Sequence, residues 1–168
     1  YYYNSSIKYA DENGNCYIGW RVTVESPDGT YGEKVTICDV LNGNNASAHS
    51  TFVKDSIVVK KVSADGKTVT PVDSSDYTLT MSDNVGTPSG TEQNITVSGL
   101  PPLEASEAYY LEYQAMTDSN QFPGQGAATM HNTSSASAGS TTVKQNGEST
   151  IGFVNQITKT HATTADGL

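Results

Sequence analysis

Tyr17-Ile18-Gly19-Trp20-Arg21-Val22-Thr23-Val24-Glu25, a turn at Ser26-Pro27-Asp28-Gly29, and then Val35-Thr36-Ile37-Cys38-Asp39-Val40-Leu41 decide the fold. In the first run Ile18, Trp20, Val22 and Val24 share one face; in the second Val35, Ile37, Asp39 and Leu41 do. A period of two is the mark of a strand with one buried face, and Ser-Pro-Asp-Gly is strong turn chemistry. Working outward, further strand signals fall at Ser6 to Ala10, Ser56 to Val62, Tyr77 to Met81, Asn94 to Ser98, Ala108 to Met116 and Ala127 to Ala138. Two more follow at Thr141 to Lys144 and Thr150 to Lys159. Ala46 to Thr51 adds a short helical turn. Many short strands divided by Gly, Pro, Asn and Asp turns predict an all-β sandwich.

Composition agrees. Of the 168 residues, 35% are apolar and 16% charged, and Thr, Val, Tyr and Ser dominate, the usage of strands. The net charge is −9 and the nine basic residues are scattered, with Lys60-Lys61 the only adjacent pair. No basic stripe tracks a phosphate backbone, which argues against nucleic acid as a partner and equally against an anionic membrane surface. No apolar run is long enough to span a bilayer. The chain lacks an initial Met and a signal peptide, so a fragment of a longer precursor is expected. Cys16 and Cys38 permit one disulfide. Cys16 shares the phase of Ile18, whereas Cys38 is out of phase with Ile37 and Asp39, so pairing requires a bulge near Gly19. Paired and free thiols both stay open.

Three polar residues occupy positions where alternation predicts burial. Asp39 continues the inward row of Val35 and Ile37; the alternative is that the strand stops at Cys38 and Asp39 begins a loop. Burial favours the protonated carboxyl. Lys8 shares the phase of Ala10, although a strand lysine is ordinarily exposed. Asn132 follows Ala128 and Met130 in phase, with a bulge or edge position as the alternative. Together the three suggest a reaction. A desolvated, neutral Lys amine attacks the Asn carboxamide, and the protonated Asp polarises the carbonyl and shuttles protons as ammonia leaves. The strand framework holds the reactants together, so one turnover suffices.

These residues also resemble a family. Trp20-Arg-Val-Thr-Val-Glu25 with Val35-Thr-Ile-Cys-Asp39-Val-Leu41 is similar to the paired strand pattern of collagen-adhesin-type (CnaA-like) isopeptide domains of Gram-positive surface proteins. Lys54-Asp-Ser-Ile-Val-Val59, Asp76-Tyr-Thr-Leu-Thr80, Tyr109-Tyr-Leu-Glu-Tyr113 and His131-Asn132-Thr133 resemble later strands of the same family, in order, from about residue 5 to 138. The resemblance implies an Ig-like β-sandwich of the DEv-IgG type. It implies Lys8 and Asn132 as the cross-linked pair and Asp39 as the catalytic acid. It further implies bacterial cell-surface display, with cell-wall anchoring through segments outside this chain. Residues 1–140 would form the isopeptide domain and 141–168 the closing strands and a junction toward a following repeat, whose opening strand Ile157-Thr-Lys159-Thr160 resembles. There are departures. Cys38 and Val40 flank the aspartate where the family has Thr, and Ser134 replaces an Ala. Phe153-Val-Asn155 resembles the ending of a related pilin-type domain, which makes Asn155 the rival acceptor. In the sister class the acid is a Glu, for which Glu112 is the candidate; its phase, opposite to Leu111 and Tyr113, argues against it.

Other chemistry is thinly represented. His49, His131 and His161 lack metal-ligand spacing, the acidic loops at Asp11 and Asp83 read as turns rather than calcium loops, and no Gly-x-Ser-x-Gly elbow occurs. No metal and no cofactor are expected. The sequons at Asn4, Asn45, Asn94 and Asn132 are common in so Ser/Thr-rich a chain, and Tyr1-Tyr-Tyr3 reads as a junction contact. The expected function is a monomeric adhesin module, a stalk or display domain stabilised by a Lys–Asn bond, with neighbouring domains of the same protein as partners. The alternatives are a ligand-binding adhesin domain recognising a host extracellular-matrix protein or glycan, and a pilin subunit. A turnover enzyme ranks last.

Overall fold

The computed structural model describes residues 2–10, 15–43, 49–88, 90–117 and 126–153. The strands are β1 (Tyr2–Ala10), β2 (Cys16–Glu25), β3 (Val35–Leu41), β4 (Thr51–Phe52), β5 (Val58–Val62), β6 (Val69–Pro71), β7 (Thr78–Met81), β8 (Gln93–Leu100), β9 (Ala108–Thr117), β10 (Gly126–Ala138) and β11 (Thr141–Phe153). Single 3-10 turns at Lys54–Ser56 and Ser74–Asp76 are the helical content of the described residues. One antiparallel sheet runs β1-β2-β9-β5-β6, with β4 also on β9; the other runs β11-β10-β3-β8-β7. The chain is an all-β sandwich, as the alternation predicts.

The inward rows are those read from sequence. Ile18, Trp20 and Val22 of β2 meet Val35, Ile37 and Leu41 of β3, Ile95, Val97 and Leu100 of β8, and Tyr109, Leu111, Tyr113 and Ala115 of β9. Each fully buried large side chain contributes about 1.5–3 kcal/mol. Phe52 adds to this layer, its ring 5.0 Å from that of Tyr113.

Several expectations need correcting. Thr51 belongs to β4, not to a helical turn, and residues 44–48 lie outside the described residues. β6 was not expected: three residues are too few to show a period. The two late strands are one, β11, paired with β10 from Ala138↔Thr141 to Gly126↔Phe153. Residues 141–153 thus close the same sheet as β10. Asn155, Ile157–Lys159 and the tail from His161 lie outside the described residues.

β2 and β3 are consecutive but lie in different sheets, because residues 26–34 carry the chain across the sandwich. The two cysteines therefore fall in different sheets. Cys38 is a free thiol, half-buried, and Thr96 Oγ1 lies 3.7 Å from its Sγ. Its neighbours in sequence, Ile37 and Asp39, are the ones that face the core. Cys16 sits in the other sheet, opposite Ala10 and Thr117. In this structure Cys38 thus carries no disulfide.

Candidate functional site

The β3 row ends in a carboxyl. Asp39 continues the alternation of Val35 and Ile37 and is fully buried; β3 runs on to Leu41, so the loop alternative fails. On one side β8 places Ile95 opposite Asp39, and on the other β10 places Ser134 opposite it. Asn132 stands two residues back along β10, opposite Leu41, and is also fully buried. Two residues in a strand share a face, so Asn132 and Ser134 both point inward beside Asp39.

The other sheet supplies a third group, which sequence reasoning missed. Tyr113 of β9, 3% exposed, spans the sandwich. Its hydroxyl donates to Asp39 Oδ2 at 2.5 Å and accepts a short hydrogen bond from Asn132 Nδ2. Asp39 Oδ1 is buried with no hydrogen-bond partner among the described residues.

Burial dominates the electrostatics. Desolvation pushes the Asp39 carboxyl up to about 8, although hydrogen bonds from Tyr113, Asn132 and the Val40 backbone pull the other way. The carboxyl is therefore largely protonated at neutral pH and can act as a hydrogen-bond donor. Burial, then the nearby Asp39 carboxyl, raises the Tyr113 phenol well above its ordinary value, so it stays neutral. A carboxylic acid, a phenol and a carboxamide thus meet in the buried core.

Lys8 is placed by register. In the β1–β2 ladder it stands opposite Ile18; Ile18 stands opposite Ala115, and Ala115 opposite Phe52. Ile18, Ala115 and Phe52 are all 0% exposed, and directly opposed residues share a sheet face. Lys8 thus stands in register with the buried row of Ile18, Ala115 and Phe52. The neighbouring row reads Ser6, Trp20, Tyr113.

Glu112 lies on the opposite face of β9. It is held by Arg21 and Lys60, each at 2.6 Å, and Arg21 also covers the Tyr110 ring at 4.2 Å. It has no access to the core, as its phase indicated. No cluster of His, Cys, Asp and Glu suited to a metal occurs among the described residues.

At one pole of the sandwich a cleft of about 430 Å³ opens between residues 24–35 and residues 136–140. Tyr31 on its rim is 84% exposed and has a left-handed backbone, φ 52°. Hydrogen bonds from Thr30 N to the Leu103 carbonyl and from Leu103 N to Thr30 Oγ1 anchor the loop that carries it.

No family model matches the sequence, and no curated protein matches it by sequence. Solved structures share the fold. The collagen-binding subdomain of the Enterococcus faecalis surface protein ACE superposes with TM-score 0.52 at 11% identity, over 90% of this chain and 96% of that one. The collagen-binding domain of a Staphylococcus aureus adhesin gives 0.51 at 11%, over 90% and 97%. The group B streptococcus pilus 2b backbone protein gives 0.57 at 13%, over 88% of this chain and 56% of that one. This chain spans about half of that pilus protein's length. At such identities the likeness shows the fold: this is the sandwich of collagen-binding adhesin and pilus backbone domains.

Proposed function

We propose that this chain is a cell-surface adhesin module, a stalk or display domain that staples itself with one bond between Lys8 and Asn132, made with the help of Asp39. One observation carries this reading. A carboxyl held protonated and a carboxamide are both fully buried in the core, joined through one phenol. Lys8 stands in register with the buried Ile18 of the other sheet. A lone buried carboxyl costs stability, and its retention is accounted for by chemistry. The neutral Nζ of Lys8 attacks Cγ of Asn132 while Asp39 donates to the carboxamide oxygen. The Cγ–Nδ2 bond breaks, Nζ gives up one proton, Nδ2 gains one, and ammonia leaves. The product amide cannot be reduced, so it constrains the unfolded chain as a disulfide does and persists in any redox environment. The reaction runs once per molecule and makes no turnover enzyme. On this reading the chain is displayed outside a Gram-positive cell, anchored through other segments, with residues beyond 153 leading to a neighbouring domain.

The test is intact-protein mass spectrometry. The wild-type mass should fall short of the sequence mass by one ammonia, and Lys8→Ala, Asp39→Ala and Asn132→Ala should each restore it. Full mass in the wild type sinks the reading. Restoration by Asn155→Ala, with Asn132→Ala still cross-linked, moves the acceptor to Asn155.

A second reading, a domain that itself grips a partner, is favoured by the cleft at the pole and by Tyr31. Backbone strain of this kind persists where the surroundings hold it, and it often marks a binding surface. An exposed aromatic on an anchored loop is a recognition group of low entropic cost.

A further inference from the structure

We infer that Tyr113 is a catalytic residue of the cross-linking reaction: its phenol holds the leaving nitrogen of Asn132 and connects it to the Asp39 carboxyl. This rests on the Lys8–Asn132 reading given above.

The inward row of β9 is Tyr109, Leu111, Tyr113 and Ala115. A Phe at position 113 would fill the same volume and keep the ring contact with Phe52. It would also spare the core a hydroxyl that costs about 1–3 kcal/mol unless it is bonded. The Tyr109 hydroxyl, by contrast, leaves the core and donates to the Pro101 carbonyl at 2.6 Å, an ordinary structural bond. Among the described residues the Tyr113 hydroxyl has no backbone partner of this kind. Its two hydrogen bonds go to the acid and to the amide nitrogen that must depart.

The geometry fits what the leaving group needs. At rest the hydrogen bonds run from Asn132 Nδ2–H to the phenol oxygen and from the phenol O–H to Asp39 Oδ2. This fixes the rotation of the carboxamide. After attack by Lys8 Nζ, the nitrogen is no longer conjugated to a carbonyl and becomes basic. The hydrogen bonds then reverse. Asp39 donates to the phenol oxygen, the phenol donates to Nδ2, and a proton passes along the pair. The Cγ–Nδ2 bond breaks and ammonia departs. Asp39 recovers a proton from Nζ, so both residues end as they began. Positioned proton transfer of this kind contributes typically 10²–10⁴-fold.

The groups facing Asp39 are few. β9 presents Tyr113, β10 presents Asn132 and Ser134, β8 presents Ile95 opposite and Gln93 further along, and β1 carries Lys8 in register with Ile18. Of these only Tyr113 and Lys8 titrate. Because the Tyr113 hydrogen bond lowers the Asp39 pKa, its loss moves that pKa upward.

The experiment follows ammonia loss by intact mass after cell-free synthesis of the full chain, from pH 5 to 9. Tyr113→Phe should reach a near-ultraviolet circular dichroism spectrum like that of the wild type. It should cross-link roughly 100-fold more slowly, and the limb of its pH–rate profile set by Asp39 should move to higher pH. A wild-type rate with an unmoved profile overturns the proposal and leaves the phenol a packing group. If Tyr113→Phe folds poorly, fluorotyrosine placed at position 113 changes the acidity of the phenol and hardly changes its shape. An altered rate and profile then support the role, and an unaltered pair overturns it. A wild-type chain that keeps its ammonia overturns this proposal and the cross-link together. One that loses it while Tyr113→Phe behaves normally overturns this proposal alone.

Discussion

At Asp39 a single side chain makes the molecule's stability depend on pH in an unusual direction. Most carboxyls here are exposed or paired, and those of Asp65, Asp73 and Glu107 are held below their ordinary range by hydrogen bonds. Asp39 is raised from 3.8 to about 8. Between those values the folded chain keeps a proton that the unfolded chain releases. The stability of an uncross-linked chain therefore falls as pH rises from about 4 to about 8, by up to about 1.4 kcal/mol per unit. Below pH 4 both states are protonated and Asp39 contributes no slope. Urea unfolding of Lys8→Ala at pH 5 and pH 7 should show this loss, and adding Asp39→Asn should remove it; equal slopes in the two proteins would show that Asp39 does not titrate this way. Asp39 was legible in the sequence because a carboxyl interrupts an apolar row. Tyr113 was not, because a tyrosine satisfies the same row and its polar end is invisible to periodicity. Lys8 and Asn132 were weaker signals: phase with Ala10 and with Ala128 and Met130 nominated them, and a family resemblance supplied their roles, since Asn4-Ser5-Ser6 gives β1 no apolar stripe. Its register emerges once it is paired with β2.

Among the elements, β4 shows how a two-residue strand is held. Thr51 and Phe52 are both buried, and the tie is Gln93, the first residue of β8, which is itself fully buried. Its Oε1 accepts from Thr51 Oγ1 and the Phe52 backbone, each at 3.0 Å, and its Nε2 donates to the carbonyls of Asn84 and Thr87. One carboxamide thus fastens β4 on one side and the loop before β8 on the other. Gln93→Ala leaves buried partners unpaired and should cost about 2–4 kcal/mol, read as a lowered midpoint in chemical denaturation of the Lys8→Ala chain. A loss below about 0.5 kcal/mol would mean that water replaces the side chain. The longer strands were legible because each offers three or more alternations. β4 and β6 were not, being shorter than the pattern that would reveal them. The Pro-Asp-Gly turn after β2 was legible as a turn, but a turn signal does not state whether the next strand joins the same sheet.

In the whole molecule the two readings of function occupy different places, the staple in the core and the cleft at one pole, so they can be tested separately. Tyr31→Ala should leave the mass shift and the unfolding curve unchanged. If the cleft grips a partner, it should weaken binding to an immobilised extracellular-matrix protein, with collagen as the first probe. Undiminished binding, or none by the parent chain, removes the collagen version of that reading. The same pole holds the start of β1, where Tyr2 pairs with Val24, while β11 ends at Phe153, opposite Gly126, at the far pole. The described chain thus enters and leaves at opposite ends, through the outer strands β1 and β11 of the two sheets. A pull between those ends runs along the strands, not across them. The ladders of β1 and β11 then resist in shear, all their rungs bearing tension together rather than unzipping singly. A bond from Lys8 to Asn132 would carry that tension directly from β1 to β10 and leave the intervening strands, with Asp39 and Tyr113 among them, mechanically idle.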